Sequence, residues 1–160
     1  MVDIHIISKG DVTLRRDFFA DGTLEEETPY VKGKVHGTVR RYHHNGVPHA
    51  EEPYVDGLPH GTARLMSMEG LLTEESTFER GKPHGLSRLY YSNGGVQLES
   101  PFCDGLLHGT VRIYHTSGEV ACERTYVDDK LKGPVKGFDR KGKMIYCGYP
   151  KIYDEAISFI

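Results

Sequence analysis

The sequence predicts an all-β protein, an elongated single-layer antiparallel sheet made of tandem β-hairpins. Three observations carry that prediction. Gly22, Gly46, Gly70, Gly94, Gly118 and Gly142 recur every 24 residues with no insertion or deletion, and self-similarity at such a period marks a repeat architecture. Other slots keep the same step: Arg16, Arg40, Arg64, Arg88, Arg112 and Lys136, then Phe18, Tyr42, Met66, Tyr90, Tyr114 and Phe138 two positions later. Glu27, Glu51, Glu75, Glu99 and Glu123 fill a third slot, and Tyr30, Tyr54, Phe78, Phe102 and Tyr126 a fourth. Finally, the runs between glycines are too short and too punctuated for helices.

Taken in order, residues 1–9 read as an N-terminal capping strand, in which Ile4-His5-Ile6-Ile7 covers one of the two edges that an open sheet leaves unpaired. Residues 10–148 hold about six 24-residue units. In the second unit, strand-like runs at 38–43 and 48–52 flank Asn45-Gly46, a pair suited to a type I′ turn because both central residues need φ > 0. The equivalent pairs are Asp21-Gly22, Glu69-Gly70, Asn93-Gly94, Ser117-Gly118 and Lys141-Gly142, so a bulged or longer turn is expected in some copies. A two-residue turn at Asn45-Gly46 would set Arg40 opposite Glu51 and Tyr42 opposite His49. The same rule pairs Arg16 with Glu27, Arg64 with Glu75, Arg88 with Glu99 and Arg112 with Glu123. Opposite charges facing across strands contribute roughly 0.2–1 kcal/mol each and pin the register.

Pro29, Pro53 and Pro101 precede the recurrent aromatic, and since proline cannot donate to a ladder the second strand is expected to end there. A second turn then follows at Gly33, Gly57, Gly81 and Gly105, with Asp129 in the fifth linker. After it come His36-Gly37, His60-Gly61, His84-Gly85 and His108-Gly109, with Lys132-Gly133 in the next unit. Residues 149–160 leave the period and are apolar at Ile152, Ile157, Phe159 and Ile160. They read as a C-terminal capping tail, with a short helix from near Asp154 as one form, or as a peptide that docks a partner or a second copy.

Strand alternation sorts the side chains. One face takes the Thr-Arg-Tyr slots of the first strand and the His/Gln/Thr/Ala, Glu and Pro/Thr slots of the second. The other takes Val39, Ala63, Val111 and Val135 with Leu65, Leu89 and Ile113, and opposite them Leu72, Val96, Val120 and Met144, then Leu98 and Cys122; it is expected to be mostly apolar.

The bulk numbers exclude some functions. With 20 Lys+Arg against 23 Asp+Glu, the net charge is −3, which offers no footprint for nucleic acid. It also makes membrane-lipid binding an unfavoured reading. Three cysteines, Cys103, Cys122 and Cys147, have no framework spacing and read as free thiols of a reducing compartment. No leader or membrane span is recognisable, so a cytoplasmic location is expected.

The pattern G-x-x-H-G-x-x-R-x-Y-x-x-x-G-x-x-x-x-E-x-x-Y runs through Gly57 to Gly61, Gly81 to Tyr90 and Gly105 to Tyr114. It resembles the MORN repeat family, and most closely the bacterial variant associated with the antitoxin component of toxin–antitoxin systems. The resemblance covers about residues 10–148, with Val12-Thr13 replacing His-Gly at one end and Lys132 replacing His at the other. It implies consecutive hairpins in one twisted sheet, and a chain that works as an interaction module.

No catalytic residue is expected. Nucleophile elbow, phosphate loop and H-E-x-x-H helix are all missing, and an Arg–Glu pair repeated five times is unlike an active site. No metal or cofactor is expected either. Successive histidines of the His-Gly row sit two strands apart, about 9–10 Å, too far to share one zinc. They read as turn histidines. His43, His44 and His49 gather at one turn and read as surface residues.

The expected activity is therefore binding of a protein partner, with a cognate toxin as the leading candidate. A scaffold or homo-oligomer, joined by a sheet edge, the apolar face or the tail, is the alternative, and a lipid-binding module a third. Tyr42, Tyr90 and Tyr114, with Arg64, Arg88 and Arg112, form a stripe that reads equally as a partner platform or as a device holding the sheet together. Slots that vary between units are expected to give partner-specific contacts: Arg41, His43, His49, Met66, Tyr91 and Gln97.

Overall fold

Turns at a constant interval reverse the chain at a constant interval, and the computed structural model, which describes residues 4–148, shows the outcome. The strands are β1 (Ile4–Lys9), β2 (Val12–Phe18), β3 (Leu24–Val31), β4 (Lys34–Val35), β5 (Gly37–Tyr42), β6 (Pro48–Val55), β7 (Leu58–Pro59) and β8 (Gly61–Met66). There follow β9 (Leu72–Glu79), β10 (Lys82–Tyr90), β11 (Val96–Cys103), β12 (Leu106–Leu107), β13 (Gly109–Tyr114), β14 (Val120–Val127), β15 (Lys130–Phe138) and β16 (Met144–Gly148). All belong to one 16-stranded antiparallel sheet in sequence order, with β4, β7 and β12 as short pieces off the main path. Among the described residues there is no helix. The expected N-terminal strand is β1, which pairs with β2. The expected C-terminal cap, residues 149–160, lies outside the described residues.

The two kinds of turn are the reverse of the expectation. At Asn45-Gly46 the Gly46 N–H donates to the His43 carbonyl (2.8 Å) and the His43 N–H to the Val47 carbonyl (2.9 Å). Gly46 alone is left-handed, φ +78°, while Asn45 is not. This is a three-residue loop closed by a glycine bulge. All six copies use it, which explains why Glu69, Ser117 and Lys141 are tolerated before the glycine: only the glycine needs positive φ. The two-residue turns with both central residues at positive φ lie in the linkers, at Lys32-Gly33, Asp56-Gly57, Arg80-Gly81, Asp104-Gly105 and Asp128-Asp129.

The hairpin register is as expected at the charges and different at the tyrosine. Arg40 faces Glu51, but Tyr42 faces Pro48, because His49 is an extra residue in β6. The same slip makes Gln97 the extra residue opposite Tyr90, and it sets Leu72, Val96, Val120 and Met144 opposite Met66, Tyr90, Tyr114 and Phe138 instead of on the expected apolar face. The strands also run straight through Pro29, Pro53 and Pro101. A bulge at the following His-Gly removes the conflict. The Pro53 carbonyl accepts the His60 N–H (2.9 Å), so the proline nitrogen points to the same side, where Gly61 bulges away and requires no donor. The pyrrolidine ring lies on the glycine: a Cβ on Gly61 would come within 3.0 Å of Pro53 Cγ, and one on Gly109 within 2.9 Å of Pro101 Cγ. The bulge shifts the register by two residues, an even number, so each new unit starts with its faces aligned with the last.

Little apolar burial holds the sheet together. Among the described residues the five least exposed are Asp17, Thr28, Val39, Ala50 and Val111, and alternation puts all five on one face. Stability therefore rests on the backbone ladder and on side chains that bridge neighbouring strands, as in other arrays whose units contact only their neighbours.

Candidate binding surface

One face repeats and the other varies. On the repeating face, Arg16, Arg64, Arg88 and Arg112 each donate Nε to the glutamate of their own hairpin, at 2.7–3.0 Å. Arg40 reaches Glu51 at a longer 3.4 Å. The linker register brings the same glutamates opposite the next unit's cation, with Glu27 facing Arg40, Glu51 Arg64, Glu75 Arg88, Glu99 Arg112 and Glu123 Lys136. The result is one ladder of alternating charge crossing the sheet.

The tyrosines complete this ladder. Tyr42, Tyr90 and Tyr114 donate their hydroxyls to Glu27, Glu75 and Glu99, at 3.3, 2.9 and 2.7 Å. Each of these carboxylates is thus divided between its own arginine and the tyrosine of the following unit. Glu99 is held below its ordinary pKa first by the Tyr114 hydroxyl and then by Arg88, and Glu75 first by the Tyr90 hydroxyl. Conversely, burial, followed by the bond to Glu99, pushes the Tyr114 phenol up to about 12.

That shift gives an alkaline prediction. A phenol with a raised folded-state pKa stabilises the fold fully below its unfolded value near 10. The contribution is lost as pH rises through about 12. A spectrophotometric titration should show a late-ionising phenolate that Tyr114→Phe removes; an unchanged titration in that variant would refute the assignment.

The turns are tied from unit to unit at both ends of the strands. At one end, His43 Nε2 bonds the Met66 carbonyl (3.0 Å), Tyr91 donates to the Tyr114 carbonyl (2.7 Å) and His115 Nε2 bonds the Phe138 carbonyl (3.0 Å). At the other, the N–H groups of Asp56, Arg80 and Asp104 reach Nδ1 of His36, His60 and His84 at a long 3.5 Å. The His-Gly row is therefore made of turn histidines, each contacting the next unit.

The stripe of Tyr42, Tyr90, Tyr114, Arg64, Arg88 and Arg112 is thus one connected feature, already engaged within the sheet. Of the varying slots, His43 and Tyr91 tie turns together. His49 sits beside His43, with ring nitrogens 3.2 Å apart. Gln97 is a bulge residue, and Met66 stands in a tyrosine slot, facing Leu72. Arg41 faces away from the ladder, and His49 lines a recess beside it with Arg15, Asp17 and Glu26.

The face Arg41 lies on is not mostly apolar. Its N-terminal end carries Arg15 bonded to Asp17 (2.8 Å), and Arg41 clamped between Glu26 (2.8 Å) and Glu52 (3.0 Å). Leu89, Leu98, Ile113, Val111 and Cys122 come later. Between these ends lies a recess of about 200 Å³ walled by Tyr54 and Phe78. Sequence reasoning recorded these aromatics as a recurrent slot but gave them no face, because it ended the strand at the preceding proline. Alternation continued through Pro53 puts Tyr54 with Ala50 and Glu52, opposite the ladder.

The MORN repeat variant model matches residues 35–56, 83–104 and 107–128, each running from the strand piece before the His-Gly slot to the first residue of the next linker turn. No curated protein matches the chain.

Proposed function

We propose that this chain is a non-catalytic protein-binding module that docks on one protein partner and blocks it, the partner being a cognate toxin. The observation that carries the binding reading is the division of labour between the faces. A face that repeats from unit to unit maintains the scaffold, whereas the opposite face changes from paired charge to aromatic recess to aliphatic surface, as a surface shaped to one partner would. MORN repeats are in general protein- or lipid-binding modules, and three of the hairpins match their variant model. The toxin partner rests on the resemblance to the variant associated with antitoxins.

The test is co-expression with the product of the adjacent gene. The expected result is restored growth and co-purification of a stoichiometric complex. Arg41→Glu should weaken that complex at least tenfold, and Tyr90→Phe with Tyr114→Phe should leave it unchanged while lowering thermal stability. A neighbour that is harmless alone, or one that does not bind, overturns the toxin reading.

A second reading has one observation in its favour. Among the described residues, the outermost strands expose large apolar side chains, with Ile6 on β1 65% exposed and Ile145 on β16 68%, and apolar edges invite strand addition. A scaffold assembling through its edges would show concentration-dependent mass in light scattering; a monomer at all concentrations removes this reading.

A further inference from the structure

The unit between residues 59 and 80 departs from its neighbours, and its departures converge on the recess of the varying face. Ala63 stands where Val39, Val111 and Val135 stand in other units, and the missing methyls open the floor. Glu74 stands where Ala50, Leu98 and Cys122 stand, so a carboxylate replaces a small or apolar group, as at Glu26 of the first unit, which Arg41 neutralises. Tyr54 and Phe78 form the walls, Pro59, Ala63 and Leu65 the apolar floor, and Glu74 with Ser76 lies at the side.

The carboxylates of this face are treated differently. Glu26 and Glu52 are both held by Arg41. Glu74 receives the Ser76 hydroxyl at 3.0 Å, and among the described residues it takes part in no ion pair. Its strand neighbours on this face are Leu65 and Leu89, directly opposite on either side. A carboxylate set between two leucines, beside an aromatic-walled recess, lacks the cation that its equivalents have.

We propose that the recess takes a lysine or arginine side chain of a protein partner. The aliphatic stem lies over Ala63, Leu65 and Pro59, as long basic side chains do on apolar surface. The cation sits against Glu74, with the rings of Tyr54 and Phe78 alongside, where an aromatic face adds its own attraction for a positive charge. The protein partner rests on the binding reading above; the recess chemistry does not.

The test separates the two. The probes are n-butylammonium, n-butylguanidinium, n-butanol and n-butanoate, titrated into the full chain with its Ala63 and Leu65 methyls observed by NMR. The two cations should shift both methyls saturably and bind about fivefold or more tighter than butanol, and butanoate should bind least. Glu74→Gln should reduce the cations to the level of butanol, and Ala63→Val should abolish all shifts. Valine occupies that slot in three other units, so this variant keeps the fold. Equal binding of butanol and the cations, no saturable shift, or a cation preference that survives Glu74→Gln overturns the proposal. If the cations bind but no toxin is neutralised, the recess stands and the toxin reading falls. If a neutralised partner binds Ala63→Val and Glu74→Gln as well as the parent chain, the recess is not its contact.

Discussion

Gly109→Ala should lower the melting temperature by roughly 6–12 °C, the largest effect expected of any single methyl added to this chain. Two causes combine. Gly109 has φ +121°, a backbone conformation that L-residues rarely adopt, and a Cβ there would meet Pro101 Cγ at 2.9 Å. Backbone strain and overpacking each cost about 1–3 kcal/mol, and about 3 kcal/mol in all is a moderate sum. Gly85→Ala is the internal control. Its φ is +93°, but the slot before it holds Thr77, whose nearest atom would be 3.7 Å away. That variant should show only the strain, about half the loss. Pro101→Ala in the Gly109→Ala background should recover the difference. Equal losses at Gly85 and Gly109, with no recovery, would mean that the ring-on-glycine contact contributes nothing.

This contact also shows where the sequence was readable and where it was not. The period exposed the number of hairpins, and the paired Arg and Glu slots exposed their register, because charge and spacing are both visible in one dimension. What a lone proline does is not. Pro53 breaks a strand unless the facing backbone has stopped asking for a donor, and His60-Gly61 arranges that from seven residues away. The turns misled for a related reason. Asn45-Gly46 has the composition of a two-residue turn, yet Gly46 alone takes positive φ. Lys32-Gly33 and Arg80-Gly81 look ordinary and hold the tighter geometry.

The candidate surface was less legible than the fold. Tyrosine and arginine in a row suggest a platform for a partner, but the sequence does not say that the Tyr114 hydroxyl already belongs to Glu99 of the preceding unit. Variation between units singled out Arg41, which lies on the face that changes along the array. It missed Tyr54 and Phe78 because they recur, and Glu74 because a glutamate on an exposed strand draws no notice. Only the third dimension shows that Arg41 serves Glu26 and Glu52 while leaving Glu74 without a cation.

Glu99→Ala should destabilise the chain by about 1.5–2 kcal/mol, and Glu51→Ala by less than about 0.5 kcal/mol, although the two occupy the same slot. Glu99 is the shielded member, its side chain 18% exposed, with Arg88 at 2.9 Å and the Tyr114 hydroxyl at 2.7 Å. Glu51 is 36% exposed, and Arg40 reaches it only at 3.4 Å. Met66, in the tyrosine slot of the following unit, offers it no hydroxyl. Removing Glu99 leaves a guanidinium and a half-buried phenol to find water, whereas removing Glu51 frees an arginine whose side chain is already about half exposed. Glu99 should also show a pH dependence. Glu99 is depressed below its ordinary value, so its contribution is complete above the unfolded carboxylate pKa of about 4.3 and vanishes as pH falls through the lower folded value. The gap in melting temperature between the parent chain and Glu99→Ala should therefore be constant near neutrality and close in acid. Equal losses for both variants at neutral pH would show that the ladder works by net charge alone, and that the tyrosine hydroxyls add nothing to it.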